Sequence, residues 1–190
     1  MVSSKTRLVV MIGVLSALAF VLYFFEFPLA FIFPPFLKID FSDVPAIIGG
    51  MAAGPVVGVA IQLIKNIFHF LIITKEPMAS GEIANFFAGV GYMLPVIFLS
   101  SRNSMASGKG IFKLIPYIAG TLIGTVVINF VNYFITLPLY GMTGAAEKMS
   151  FIITAGIPFN LIKWSIVSVV TVVLCIKLKG EIRRIILRKV

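Results

Sequence analysis

The sequence predicts an all-α integral membrane protein, six transmembrane helices in a compact bundle with a long lid-like loop between the first and second. Three observations carry this. Of 190 residues, 59% are apolar and only 12% are charged, whereas about a quarter of a soluble domain is charged. Mean hydropathy is +1.09. Several apolar runs approach the ~20 residues that cross a ~30 Å hydrocarbon core. The runs are continuous and show no alternation of period two, which argues against a barrel. Residues 1–190 read as a single membrane domain.

The elements follow in order. The first span covers Leu8 to Phe25. Basic residues precede it as in a signal peptide, but no small-residue cleavage site ends the run, so it reads as a retained helix. A loop carrying Pro28, Pro34 and Pro35 comes next. Its second half, Phe33-Pro-Pro-Phe-Leu-Lys-Ile-Asp-Phe-Ser-Asp-Val-Pro45, mixes a Lys, two Asp, a Ser and three Pro. Each charge at a bilayer centre costs about 2.5–3.5 kcal/mol even on the lenient insertion scale. The segment is therefore a loop or a cap over a cavity, where a small polar solute can be met.

A short second span, Val44 to Ala53, ends at Gly54-Pro55. It is too short to cross alone, so it must tilt, extend through its neighbours or be shielded inside the bundle. The third span runs from Val56 to Ile73, followed by a polar turn from Thr74 to Ser80. The fourth covers Glu82 to Leu99, and Ser100 to Lys113 form a basic, Ser- and Gly-rich loop. The fifth covers Leu114 to Leu137, with a loop from Pro138 to Ser150. The sixth begins near Phe151, contains Pro158 and ends near Ile176. The tail to Val190 alternates basic and apolar residues at helical spacing, as a surface-lying amphipathic end does.

The net charge of +9 is a topology signal. With six spans, Lys5, Arg7, Arg102, Lys109, Lys113 and the six basic residues from Lys177 to Lys189 fall on one side. Lys38, Lys75 and Lys148 fall on the other, beside Glu26, Asp40, Asp43, Glu76, Glu82 and Glu147. The positive-inside rule then puts both termini in the cytoplasm, with the basic side against anionic membrane lipid. This segregation argues against a nucleic-acid partner.

Enzyme readings find no support. One His cannot build a metal centre, no Gly-x-Ser-x-Gly elbow occurs, and no Walker loop binds ATP. No catalytic residue, resident cofactor or metal is expected. The lone Cys175 excludes an internal disulfide and reads as packing.

Polar residues inside spans are few. Gln62, Lys65, Asn66 and His69 share one face of the third span by their spacing. Asn129 and Asn132 lie in the fifth, and Asn160, Lys163 and Trp164 in the sixth. Such residues face the interior or a cavity. One reading is interhelical glue, at about 0.6 kcal/mol per bond. The other is a ligand site: Asn132, Asn160 and Lys163 offer two amides and an ammonium to a hydroxylated or amide-rich ligand. Lys65 could form a buried bridge with Glu82, His69 reads as a satisfied interior residue, and Trp164 as an interfacial or packing aromatic. Small residues four apart, Gly13/Ala17, Gly50/Gly54/Gly58, Ala84/Ala88 and Gly120/Gly124, let helices approach closely, and an exposed stripe suits a membrane partner.

Asp40-Phe-Ser-Asp-Val-Pro45, Gly54-Pro55, Lys65-Asn66 and Gly81-Glu-Ile-Ala-Asn-Phe86, in this order, resemble the S components of energy-coupling-factor vitamin transporters, and among them the riboflavin-specific ones. The resemblance covers the whole chain. It implies a six-helix substrate-binding subunit that associates with a transmembrane coupling protein and two ATPases. It also implies that the first loop lids a riboflavin pocket on the outer side. Asp40, Phe41, Gly81 and Asn85 join Asn132, Asn160 and Lys163 as expected ligand residues. The family's small-residue docking motif on the first helix, usually Ala at both ends, falls on Gly13 and Ala17. The chain's 18 Phe suit a flat ring, and the amides and Lys163 suit ribityl hydroxyls and ring carbonyls. The alternatives are an S component for another vitamin, a stand-alone facilitator or channel using the Lys65/His69 face, and a scaffold without ligand.

Overall fold

The computed structural model describes residues 4–73, 77–102 and 114–178. Among these residues six helices form the bundle: α1 (Ser4–Phe24), α2 (Asp43–Ala53), α3 (Pro55–Ile72), α4 (Ser80–Arg102), α5 (Ile115–Leu139) and α6 (Ala145–Lys177). All but α2 are long and apolar enough to cross a membrane. At 11 residues, α2 is about 16 Å long. Its polar first turn and apolar body are buried among α1, α3, α4 and α6, so it is the shielded case of the three that its length allows.

Local chemistry sets the joints. Gly54 separates α2 from α3 with φ +110, a backbone state that a side chain disfavours. Pro55 then opens α3, where its missing N–H costs nothing. Gly120 and Gly124 let α5 touch the backbone of α4: added Cβ atoms would lie 2.8 Å from the Tyr92 carbonyl oxygen and 3.1 Å from its Cα. Gly13 and Ala17 behave differently. Both are exposed, and a Cβ at Gly13 would meet nothing within 4 Å.

The joint between α5 and α6 differs from the sequence reading. α5 runs on to Leu139 and α6 starts at Ala145, so the expected loop from Pro138 to Ser150 shrinks to residues 140–144. Pro138 explains where the expected loop begins, and both helices absorb a proline in the same way. Each helix has a five-residue π-turn, Asn132–Thr136 and Ile152–Gly156, ending two residues before Pro138 and Pro158. Proline cannot donate and its ring crowds the carbonyl one turn back. The widened turn accommodates this without ending the helix: Leu137 N–H reaches the Asn132 carbonyl and Ile157 N–H the Ile152 carbonyl. Residues 100–102 of the expected basic loop belong to α4, and residues 103–113, Lys75, Glu76 and the tail from Lys179 lie outside the described residues.

The main core centres on Tyr92 and Trp164, stacked at 4.5 Å and 6°, with the Tyr92 and Ser168 hydroxyls 2.7 Å apart. Trp164 is fully buried here, a packing aromatic. A second cluster joins Phe33 and Ile39 of the first loop to Leu137, Phe151, Ile152 and Phe159 of α5 and α6. The loop also holds a short antiparallel ladder, β1 (Phe27–Pro28) with β2 (Lys38–Ile39). These strands are too short for any alternation to be read in the sequence. The loop is thus a folded lid seated on the ends of two helices.

Candidate functional site

Beneath the lid lies a cavity with about 680 Å³ of empty space, counting the part open to solvent. Asp40, Gly81, Asn85, Asn132, Asn160 and Lys163 all line it. These sequence-selected residues come from the lid loop, α4, α5 and α6 and meet in one place. Phe41 does not line the cavity and packs against the main core instead, where the chain turns into α2.

Asp40 is the hub. One carboxylate oxygen accepts the Ser42 N–H at 2.9 Å and also the Ser42 hydroxyl. The other accepts from Lys163 Nζ at 2.9 Å and from Asn85 Nδ2 at 3.2 Å. Asp40 lies in the lid loop, ahead of α2. Burial pushes its carboxyl up, but the ammoniums of Lys163 and Lys65 and the Ser42 hydroxyl hold it below the usual carboxylate range. It therefore stays ionised as a counter-charge and holds Lys163 and Asn85 at the cavity wall.

The Ser42 hydroxyl carries the network onward by accepting from Lys65 Nζ at 2.5 Å. Lys65 also pairs with Asp43 at 2.7 Å, both side chains fully buried, and Gln62 Nε2 donates to the same carboxylate oxygen at 2.8 Å. The bridge expected between Lys65 and Glu82 is thereby corrected. Asp43, in the first turn of α2, sits closer to Lys65, while Glu82 meets His69 Nδ1 at 2.7 Å. His69 also stacks on Tyr23 at 3.7 Å. The polar face of α3 is engaged in internal pairs, as its burial demands.

The cavity's apolar wall is aromatic. Phe36 of the lid lies between Tyr140 (4.7 Å, 24°) and Phe151 (5.6 Å, 22°), and all three rings line the cavity. Glu26 and Lys38 also line it, paired at 2.5 Å and partly exposed. Met78 and Ala79 precede α4 with φ of 48 and 58, so strained backbone leads into the cavity residues Ser80 and Gly81. Sequence reasoning missed Thr136, Tyr140 and Phe151, which line the site. Pro138 inside an apolar run was the available signal, because it marks the widened turn that carries Thr136.

A helical membrane bundle with a cavity under a folded lid, walled by rings and set with amides and two paired ammoniums, defines a solute-binding membrane subunit. The chain belongs to the substrate-specific components of ECF transporters: the family profile described as "ECF transporter, substrate-specific component" matches residues 7–175. It is 37% identical over 188 residues, 95% of each chain, to a protein named riboflavin transporter RibU from Staphylococcus aureus (strain TCH60). It is 38% identical over 191 residues, 95% of this chain and 96% of the relative, to riboflavin transporter FmnP from Bacillus subtilis (strain 168). A solved structure described as the S component of a bacterial ECF transporter superposes with a TM-score of 0.79 at 35% identity, covering 94% of this chain and 98% of that one.

Proposed function

We propose that this chain captures riboflavin from outside the cell and delivers it through a transmembrane coupling protein driven by two ATPases. The carrying observation is the lidded cavity, where Asn132, Asn160 and Lys163 stand among the rings of Phe36, Tyr140 and Phe151. A flat tricyclic ring fits stacking surfaces and a polyhydroxy tail fits amides and an ammonium. Near-full-length relatives named riboflavin transporters support the same ligand. The charge asymmetry supports cytoplasmic termini and an outward-facing lid in one membrane domain.

Energy must then arrive through a contact face, and Gly13 with Ala17 supplies one: exposed, small and one turn apart on α1. Gly13→Trp is expected to abolish ATP-dependent riboflavin uptake by cells carrying the coupling subunits. Flavin binding by the isolated chain should stay within about twofold, since surface changes away from buried features shift free energies by less than ~0.5 kcal/mol. Loss of binding with docking intact would place this face on the ligand side and contradict the proposal.

A further inference from the structure

We infer that Thr136 is a positioning residue that fixes the Asn132 amide with its N–H groups toward the cavity, so that this point of the wall reads a hydrogen-bond acceptor on the ligand. This rests on the riboflavin reading above. The observation is a departure from the pattern of the other helical amides. Asn66, Asn129 and Asn160 each donate Nδ2 to the carbonyl four residues back, at 2.8, 2.8 and 2.7 Å. Asn85 donates to Asp40. Asn132 donates to nothing among the described residues; its Oδ1 instead accepts the Thr136 hydroxyl at 2.6 Å.

The hydroxyl also differs from those of Thr154 and Ser165. Thr154 and Ser165 donate to the backbone carbonyls of Ser150 and Leu161, at 2.8 and 2.7 Å, the ordinary behaviour of a helical hydroxyl. Thr136 and Asn132 are the last and first residues of one π-turn, and this brings the hydroxyl to the amide oxygen. Both side chains are buried and line the cavity. An amide whose oxygen is turned to a neighbour presents its two N–H donors to whatever fills the space on its other side. Without the Thr136 hydroxyl the amide can turn over, and the point no longer distinguishes acceptor from donor.

The test is a set of titrations of purified protein with riboflavin and with four flavins that each weaken or remove one acceptor: 2-thio, 4-thio, 5-deaza and 2′-deoxyriboflavin. In the wild type, at least one analogue should bind about five- to tenfold more weakly than riboflavin, the scale of one lost hydrogen bond. Thr136→Val, close to isosteric but without the hydroxyl, should weaken riboflavin and shrink that analogue's deficit to about twofold or less. Thr136→Ser should restore both values. Asn132→Asp, which offers only acceptors, should also erase the deficit and serves if the Val variant does not fold. A deficit that persists in Thr136→Val, or a Ser variant that behaves like Val, would overturn the positioning role, as would a wild type indifferent to all four analogues. A wild type that does not bind riboflavin itself would overturn the ligand reading and this inference with it.

Discussion

Asp40→Ala is expected to reduce riboflavin binding by more than a hundredfold and to destabilise the ligand-free protein by about 3–5 kcal/mol. Among the described residues the carboxylate is the hydrogen-bond partner that holds both Lys163 and the Asn85 amide, and it takes four donors in all. Its removal leaves an ammonium buried without a counter-charge and frees the lid loop from α4 and α6 together. Asp40→Asn keeps the shape but aims an amide N–H at a cation, so it should recover little. Because Asp40 is held below the usual carboxylate range, its contribution is present above the unfolded value and fades only as pH falls through the lowered folded value. The clasp should therefore not weaken between about pH 8 and pH 5. Equilibrium titration with riboflavin, paired with ligand-free thermal unfolding in detergent, reads both effects. Near wild-type affinity in Asp40→Ala would remove it from the site.

Lys65→Met should carry a comparable stability cost without entering the cavity. Lys65 and Asp43 are both fully buried and 2.7 Å apart, and losing one partner of such a pair costs about 3–5 kcal/mol. Replacing both by apolar residues, as in Lys65→Met with Asp43→Leu, is often close to neutral. The double variant is thus expected to unfold at a higher temperature than Lys65→Met alone. A double variant no more stable than the single would show that Gln62 and Ser42 also depend on the charges.

Much of this architecture was legible because membrane crossing imposes long apolar runs, and because polar residues inside them have few places to go. The spacing of Gln62, Lys65, Asn66 and His69 gave their common face, and all four are buried. The partners were not legible. Lys65 was paired by the sequence reading with Glu82, the next acid along a neighbouring span. The true partner is Asp43, brought in because α2 is shielded inside the bundle and its first turn lands beside α3. Phe41 was grouped with Asp40 by the resemblance, but the chain bends at Phe41 and its ring packs against the main core. The end of α5 was misplaced because Pro138 looks like a breaker, whereas the π-turn before it absorbs the proline. Asn132 was recognisable as an intramembrane amide. Its orientation was not, since that depends on the π-turn that brings Thr136 to its oxygen.

The most direct measurement is a titration of riboflavin fluorescence with the purified chain, run beside Asn132→Ala, Asn160→Ala, Lys163→Ala and Gly13→Trp. Saturable quenching at one flavin per chain is expected, weakened by about 1–3 kcal/mol in each alanine variant and unchanged in Gly13→Trp. Wild-type affinity in all three folded alanine variants, or no quenching by the wild type at saturating protein, would contradict a flavin site beneath the lid.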